Sequence, residues 1–239
     1  PLGVIVGWAR LMREGALDPL ESERVLAAIE RNAQMLKQLV EDLLDVSRIT
    51  AGKFRVDARP MELVPVIVDT IEMVATALAA KRIKLHAYYD HGAGFVHGDP
   101  ERLQQVLWNL LSNAIKFTPE EGQIEVRLER ARAHARIIVY DTGAGIRRDL
   151  LPYVFDRFRQ AEEAAKAKHG GLGLGLAIVR HLVEAHGGTV HAASAGEGLG
   201  STFTIELPLL SGGVPQDYQG EVAAAGDTEK LLAYTATAT

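Results

Sequence analysis

The stretch Asn109-Leu-Leu-Ser-Asn-Ala-Ile-Lys-Phe-Thr118 decides how this 239-residue chain is read. It closes a segment that opens on Asp99-Pro100, an N-cap carboxylate followed by proline at the first helical position, so a helix is expected from Asp99 to Phe117. On such a helix Asn109, Asn113 and Lys116, spaced four and then three residues apart, share one face. Val106, Leu107, Leu110 and Leu111 form the opposite stripe, which predicts a helix laid on a sheet. An amide oxygen is a hard ligand suited to Mg²⁺, which keeps waters and takes phosphate oxygens as well. A lysine one turn on supplies a point charge for phosphate. An ordinary solvated face has the same spacing, and the choice between the two falls to the sequence downstream.

Two glycine-rich stretches follow in order. Asp141-Thr-Gly-Ala-Gly-Ile146 comes after the β-branched run Ile137-Ile138-Val139. Gly143 and Gly145 there permit tight turns and close approach of a flat ligand. Asp141, at the strand end, is placed to accept a hydrogen bond from an exocyclic amine such as that of adenine. The second stretch is Gly170-Gly-Leu-Gly-Leu-Gly-Leu176, in which Gly171, Gly173 and Gly175 lead into a helix expected from Gly173 to His186. Amides at a helix N-terminus present donors and positive dipole to an anion. No βαβ unit with an acidic residue some twenty positions on accompanies it, so a dinucleotide fold is rejected. Between the stretches, Phe155 and Phe158 are expected to anchor a lid made of the polar run Gln160 to His169. In that run Lys166, Lys168 and His169 are phosphate contacts or plain solvated surface.

The bulk composition is that of a soluble globular protein, 47% hydrophobic and 24% charged. A net charge of −5 gives no reason to expect a nucleic-acid surface. The chain has no cysteine, which excludes disulfides, thiolate zinc sites and cysteine nucleophiles and fits a cytoplasmic setting. Asp69 and Glu72 interrupt the most apolar run, Leu63 to Ala80, so neither a membrane span nor membrane contact is expected.

Three regions are expected. Residues 1–52 read as a helical hairpin, Leu2 to Arg13 and then a long helix from Pro19. Ile29, Leu36 and Leu43 lie on one line of that helix, with Val25, Leu39 and Val46 beside it and Asn32 on the seam as a register-fixing polar residue. A hairpin this narrow cannot cover its own apolar stripe. A second copy, making a four-helix bundle, or the chain's own C-terminal region must cover it. Residues 53–208 alternate strands and helices: strands near 54–59, 83–89 and Phe95, a helix at 63–80, then strands at 123–130, 136–140, 190–193 and 202–207. The sum is an α+β chain, a helical hairpin followed by a two-layer α/β sandwich. Residues 209–239, poor in large apolar side chains, read as a disordered tail or linker.

These residues closely resemble the bacterial sensor histidine kinases of the GHKL ATPase superfamily. NLLSNAIKFT matches the family's N box, DTGAGI its G1 box, VFDRFRQ its F box and GGLGLGL its G2 box, and the likeness extends from Pro1 to about Pro208. The resemblance implies ATP and Mg²⁺ as ligands. Asn113 would hold the metal, Asn109 would support metal and phosphates, and Lys116 would contact phosphate. Asp141 would recognise adenine, and Gly143, Gly145, Gly171, Gly173 and Gly175 would line the nucleotide with Phe155 and Phe158 nearby. Ser201 matches a hydroxyl position on the adenine side. The hairpin resembles the family's dimerisation and phosphotransfer domain, which implies a homodimer and a response-regulator receiver domain as partner. Pro1-Leu2 matches the end of the family's His-Glu-x-x-Thr-Pro pattern, so the phosphoacceptor is expected just ahead of the first residue. His181 and His186 are expected to be helix-surface and cap residues.

The implied chemistry is transfer of the ATP γ-phosphoryl group to an imidazole, which is already a nucleophile and needs mainly positioning and charge neutralisation. Superfamily ATPases place a glutamate where this chain has Asn109, and an amide cannot act as that base. Kinase is thereby favoured over hydrolase. A superfamily ATPase and a non-catalytic ATP-binding and dimerisation module remain as alternatives.

Overall fold

The structure is a computed structural model that describes residues 1–14, 18–52, 54–93, 95–159, 173–210 and 232–234. Two units separate by their internal packing, Pro1–Phe54 and Arg55–Thr239.

In the first unit α1 spans Leu2–Arg13 and α2 spans Pro19–Thr50. Asp18 starts α2 with a full capping box: its Oδ1 accepts from Glu21 N at 2.7 Å, and Glu21 Oε2 accepts from Asp18 N at 3.2 Å. Such a cap contributes about 1 kcal/mol. No residue of α1 is buried, and Leu2, Val6, Leu26, Val40, Leu43 and Leu44 are at least half exposed. Two helices cannot enclose this much apolar surface. Asn32, expected on the seam, is half-buried, and its Nδ2 donates to Ala28 O at 2.8 Å within its own helix.

The second unit carries β1 (Arg59–Glu62), α3 (Leu63–Ala80), β2 (Lys84–Tyr89), β3 (Phe95–Gly98), α4 (Pro100–Phe117), β4 (Gln123–Ala131), β5 (His134–Asp141), α5 (Gly175–Ala185), β6 (Thr189–Ala193), β7 (Ser201–Pro208) and β8 (Leu232–Tyr234). The main sheet runs β6-β7-β5-β4-β2-β8. The β2–β4 pair is parallel and the other pairs are antiparallel. Register explains its two layers. Leu85 pairs with Ile124, Ala87 with Val126, Val126 with Val139 and Val139 with Phe203, and all of these are buried. The alternate residues form a polar face, where Arg136 pairs with Glu129 and Glu206. The buried face lies under α3, α4 and α5, with Ile67, Leu107, Leu111, Ile178 and Leu182 almost wholly enclosed.

By length and mean hydropathy (1.8) α3 qualifies as a membrane span, against the expectation that Asp69 and Glu72 disqualify it. In this fold it is a core helix. Leu63, Val66, Ile67, Ile71, Val74 and Leu78 are buried on one side, and Asp69 and Glu72 lie exposed on the other.

Three local expectations are corrected. The strand expected at 54–59 lies instead at Arg59–Glu62, where it pairs with β3 in a separate two-stranded sheet. Pro60 sits opposite His97 in that ladder, and an edge strand tolerates the donor that proline lacks. The last helix begins at Gly175 rather than Gly173, because Gly173 has φ +70°. It ends in the expected glycine stop, with the Gly187 amide on Glu184 O and the Gly188 amide on Val183 O, both at 2.9 Å. Within the tail read as disordered, Leu232–Tyr234 forms β8 on the free edge of β2.

Candidate nucleotide site

α4 is positioned from both ends. At its start Asp99 Oδ1 accepts from Arg102 N, and Asp99 N donates to Nε2 of His186 at 3.0 Å. His186 Nδ1 lies 2.7 Å from Leu182 O, which assigns the proton to Nδ1. His186 is therefore a buried cap that joins the end of α5 to the start of α4. At the other end Lys81 Nζ donates to the carbonyls of Ile115, Lys116 and Thr118 at 2.7, 3.0 and 3.0 Å. A cation there meets carbonyls that the helix leaves unpaired and the negative end of its dipole.

Asn109, Asn113 and Lys116 share a face, as expected, but in unequal surroundings. Asn113 and Lys116 are half-buried, and burial pulls the Lys116 ammonium below its ordinary range. Its Nζ sits 5.0 Å from the Phe117 ring centroid. Asn109 is only 6% exposed. The first residue of α5 explains this: a side chain on Gly175 would place its Cβ 3.0 Å from Asn109 Oδ1. The bare backbone lets α5 settle onto the amide, which a side chain would push back by a few tenths of an ångström. Among the described residues, the buried Asn109 Nδ2 has no hydrogen-bond partner. Such a donor costs free energy unless a ligand or water takes it.

The loop after β5 closes the other side. Asp141 is 3% exposed; its Oδ1 accepts from Gly143 N at 2.8 Å and its Oδ2 from Ser201 Oγ at 2.5 Å. Ser201 stands directly opposite Asp141 in the β5–β7 ladder. The pair thus follows from strand register over a separation of 60 residues. Gly145 (φ +67°) has no room for a Cβ against Gly196 O. Gly143 is equally confined, its Cβ position 2.7 Å from both Asp141 Oδ1 and Phe117 O. The Ala144 amide ties the loop to the end of α4 through Phe117 O at 3.1 Å.

Phe155 packs edge-on against Phe203, 6.3 Å between centroids and 87° between planes, so it is fastened to the sheet. Phe158 differs: it is 64% exposed at φ +62°, and its amide donates to Gly173 O at 3.0 Å. Gly171 and the run Gln160 to His169 lie outside the described residues. Sequence reading missed Lys81, Ser194 and the Ala195–Gly200 turn. Gly198 N donates to Ala144 O at 2.7 Å and Gly200 N to Gly143 O at 3.1 Å, docking that turn on the loop. The density of glycine in Ala195-Gly-Glu-Gly-Leu-Gly200 was its one visible signal.

The residues fit a nucleoside triphosphate and its cation. Among the described residues a buried amide donor stands unpartnered beside a glycine that opens a helix, and the Asp141 carboxylate is fixed by Gly143 N and Ser201 Oγ. Among the described residues no cluster of three or more His, Asp or Glu is placed to hold a metal. A cation here would take amide and phosphate oxygens, as Mg²⁺ does.

Known proteins resemble this chain in sequence and in fold. Residues 98–211 match the family described as histidine kinase-, DNA gyrase B- and HSP90-like ATPase, and residues 1–52 match the His kinase A (phospho-acceptor) domain. The sensor histidine kinase GacS of Pseudomonas protegens is 38% identical over 87% of this chain and 23% of its own length. Among solved structures, a mycobacterial sensor histidine kinase, MprB, is 30% identical with TM-score 0.55, over 63% of this chain and 97% of that one. ShkA in complex with AMPPNP is 29% identical with TM-score 0.70, over 90% of this chain and 44% of that one. ThkA in complex with its response regulator TrrA shares the fold, at TM-score 0.65 and 23% identity, over 88% of this chain and 58% of that one. The chain belongs to the sensor histidine kinase family, and its second unit is an ATP-binding domain of the kind named above. It spans 17–30% of the length of the curated relatives it matches.

Proposed function

We propose that this chain binds Mg-ATP between α4 and the start of α5 and donates the γ-phosphoryl group to a histidine. The observation that carries this is the buried Asn109 amide packed against Gly175, whose Nδ2 has no hydrogen-bond partner among the described residues. An amide at that position orients phosphate and cannot deprotonate water, which supports phosphoryl transfer to imidazole over hydrolysis. Asn113 would hold Mg²⁺, which when bound supplies neutralisation of phosphate charge. Lys116 contacts phosphate, Asp141 accepts the adenine amine, and Gly143, Gly145, Gly173 and Gly175 give the backbone close access. Phe155 and Phe158 complete the lining, and the role expected of Gly171 falls outside the described residues. The imidazole nitrogen attacks the γ-phosphorus, the bond to the β–γ bridging oxygen breaks, and ADP leaves.

The exposed apolar residues of α1 and α2 support a homodimer through the hairpin, built as a four-helix bundle. The match to the phospho-acceptor domain supports a response-regulator receiver aspartate as the next acceptor, as does the ThkA complex. ATP use and the absence of cysteine fit a cytoplasmic location.

The test supplies Mg-ATP and a hairpin protein bearing an intact phosphoacceptor histidine, and measures acid-labile phosphate on that protein. Transfer is expected from the chain and not from Asn113→Ala, whose Mg-dependent ATP affinity should fall by tenfold or more (about 1.4 kcal/mol per factor of ten). Steady phosphate release without acceptor would establish an ATPase instead. Binding without transfer would leave only a binding module, and unchanged Mg-ATP affinity in Asn113→Ala would remove the metal assignment.

A further inference from the structure

We propose that Ser194 is a positioning residue that sets the adenine selectivity of the site, an inference that rests on the nucleotide reading above. The Ser194 hydroxyl joins the two loops that hold Asp141 and Ser201. Its Oγ accepts from Ile146 N at 3.0 Å, directly after Gly145. The same Oγ lies 2.7 Å from Gly200 O and 3.2 Å from Gly196 O, and 3.3 Å from Gly196 N. A hydroxyl has one proton to give, and the 2.7 Å contact assigns it to Gly200 O.

Gly200 immediately precedes Ser201. Its own amide donates to Gly143 O, and a Cβ there would collide with Asp141 O. The backbone carrying Ser201 is therefore set against the backbone carrying Asp141 with no slack. Ser194 is half-buried and adds a side-chain hydroxyl to that stitching, alongside the Ser201 hydroxyl on Asp141. Replacing it with alanine strands the Ile146 amide and the Gly200 carbonyl together.

The chemical consequence falls on the base. A carboxylate whose oxygens are fixed by Gly143 N and Ser201 Oγ presents acceptors in a set direction. A 6-amino purine offers a donor to it, whereas a 6-oxo purine offers another acceptor and is rejected. Selectivity of this kind depends on the acceptor's being held still. Letting the Gly200–Ser201 backbone drift frees the carboxylate to rotate, which weakens the amino purine and leaves the oxo purine where it was.

The experiment compares ATP with inosine triphosphate, which share ribose and phosphates and differ at the purine 6-position. Calorimetric affinities are measured for the chain, Ser194→Ala and Ser194→Thr, each with Mg²⁺. The unmodified chain is expected to prefer ATP by tenfold or more. Ser194→Ala is expected to lose about tenfold for ATP and less than twofold for inosine triphosphate, and Ser194→Thr to restore most of the preference. Retained inosine triphosphate binding shows that the variant is folded. Equal loss for both nucleotides, an unchanged ratio, or failure of threonine to rescue each overturns the assignment to Ser194. If the unmodified chain shows no preference, the Asp141 assignment falls and this inference with it; if it discriminates as strongly as its alanine variant, only the role of Ser194 falls.

Discussion

Gly175→Ala separates the site from the fold. The added methyl would stand 3.0 Å from Asn109 Oδ1 and 3.6 Å from its Cγ, so the amide must retreat by a few tenths of an ångström. Helix α5 itself has no objection. Gly175 does not sit at positive φ, and alanine is the better helix former by up to about 1 kcal/mol, less at a first position. Against that stands the strain of shifting a residue that is 6% exposed in a packed helix face, on the order of 1 kcal/mol. The two nearly offset, and the melting temperature should move by no more than about 4 °C. The ligand has no such compensation. An Asn109 Nδ2 moved out of line loses a hydrogen bond to a charged phosphate, about 1.5–3 kcal/mol, or roughly 10- to 150-fold in Kd. Titration calorimetry with Mg-ATP, paired with a thermal melt of the empty protein, reads both quantities. Affinity within twofold of the parent, at unchanged stability, would refute the placement of Asn109 against phosphate.

Two further outcomes follow from named contacts. Lys81→Met removes a charged donor from three carbonyls at the end of α4 and should cost about 2–3 kcal/mol. It should appear as a lower urea midpoint at constant m-value, and a loss under 0.5 kcal/mol would show the contacts to be incidental. Lys116 carries a pH signature. Burial lowers its folded pKa below the ordinary 10.5, so between the two values the unfolded chain holds more protons than the folded one. Stability gains from this group as pH rises through that window, and below it the cost of burying the charge is fully present. Nucleotide binding runs the opposite way, because phosphate needs the charged form. Affinity should fall with pH earlier than for a free lysine, and Lys116→Arg should hold it level. Identical pH profiles for parent and arginine variant would remove Lys116 from the phosphate site.

The division between what the chain discloses in its sequence and what it does not follows sequence distance. The Asp99 cap, the two faces of α4, the glycine stop after α5 and the sandwich of strands and helices are set by neighbours within one or two turns, where periodicity and capping rules act. The strand before α3 escaped because its place depends on pairing Arg59–Glu62 with β3, more than thirty residues on. β8 escaped for a similar reason, since an unpaired edge recruits a partner by backbone alone and no side-chain pattern announces it.

The site divides along the same line, and the division is informative about Asn109. By periodicity it belongs with Asn113 and Lys116 on a polar face, and a polar face is expected to be wet. It is instead buried, because α5 begins on a residue without a side chain and settles onto it. Two sequence features separated by 66 positions, an asparagine at one and a glycine at the other, thus acquire one meaning only when folded. The same holds for Asp141 with Ser201 and for Lys81 with the end of α4. Each pairing joins residues that no local pattern links, and in the last of them Lys81 itself looks ordinary in the chain. Box residues stand out as candidates because their patterns are local. Of the residues that hold the boxes against one another, His186 was expected as a cap, whereas nothing near Lys81 or Ser194 in the chain distinguishes them. Substitutions at these holding residues are therefore where sequence likeness to a histidine kinase and retained nucleotide binding are expected to part company.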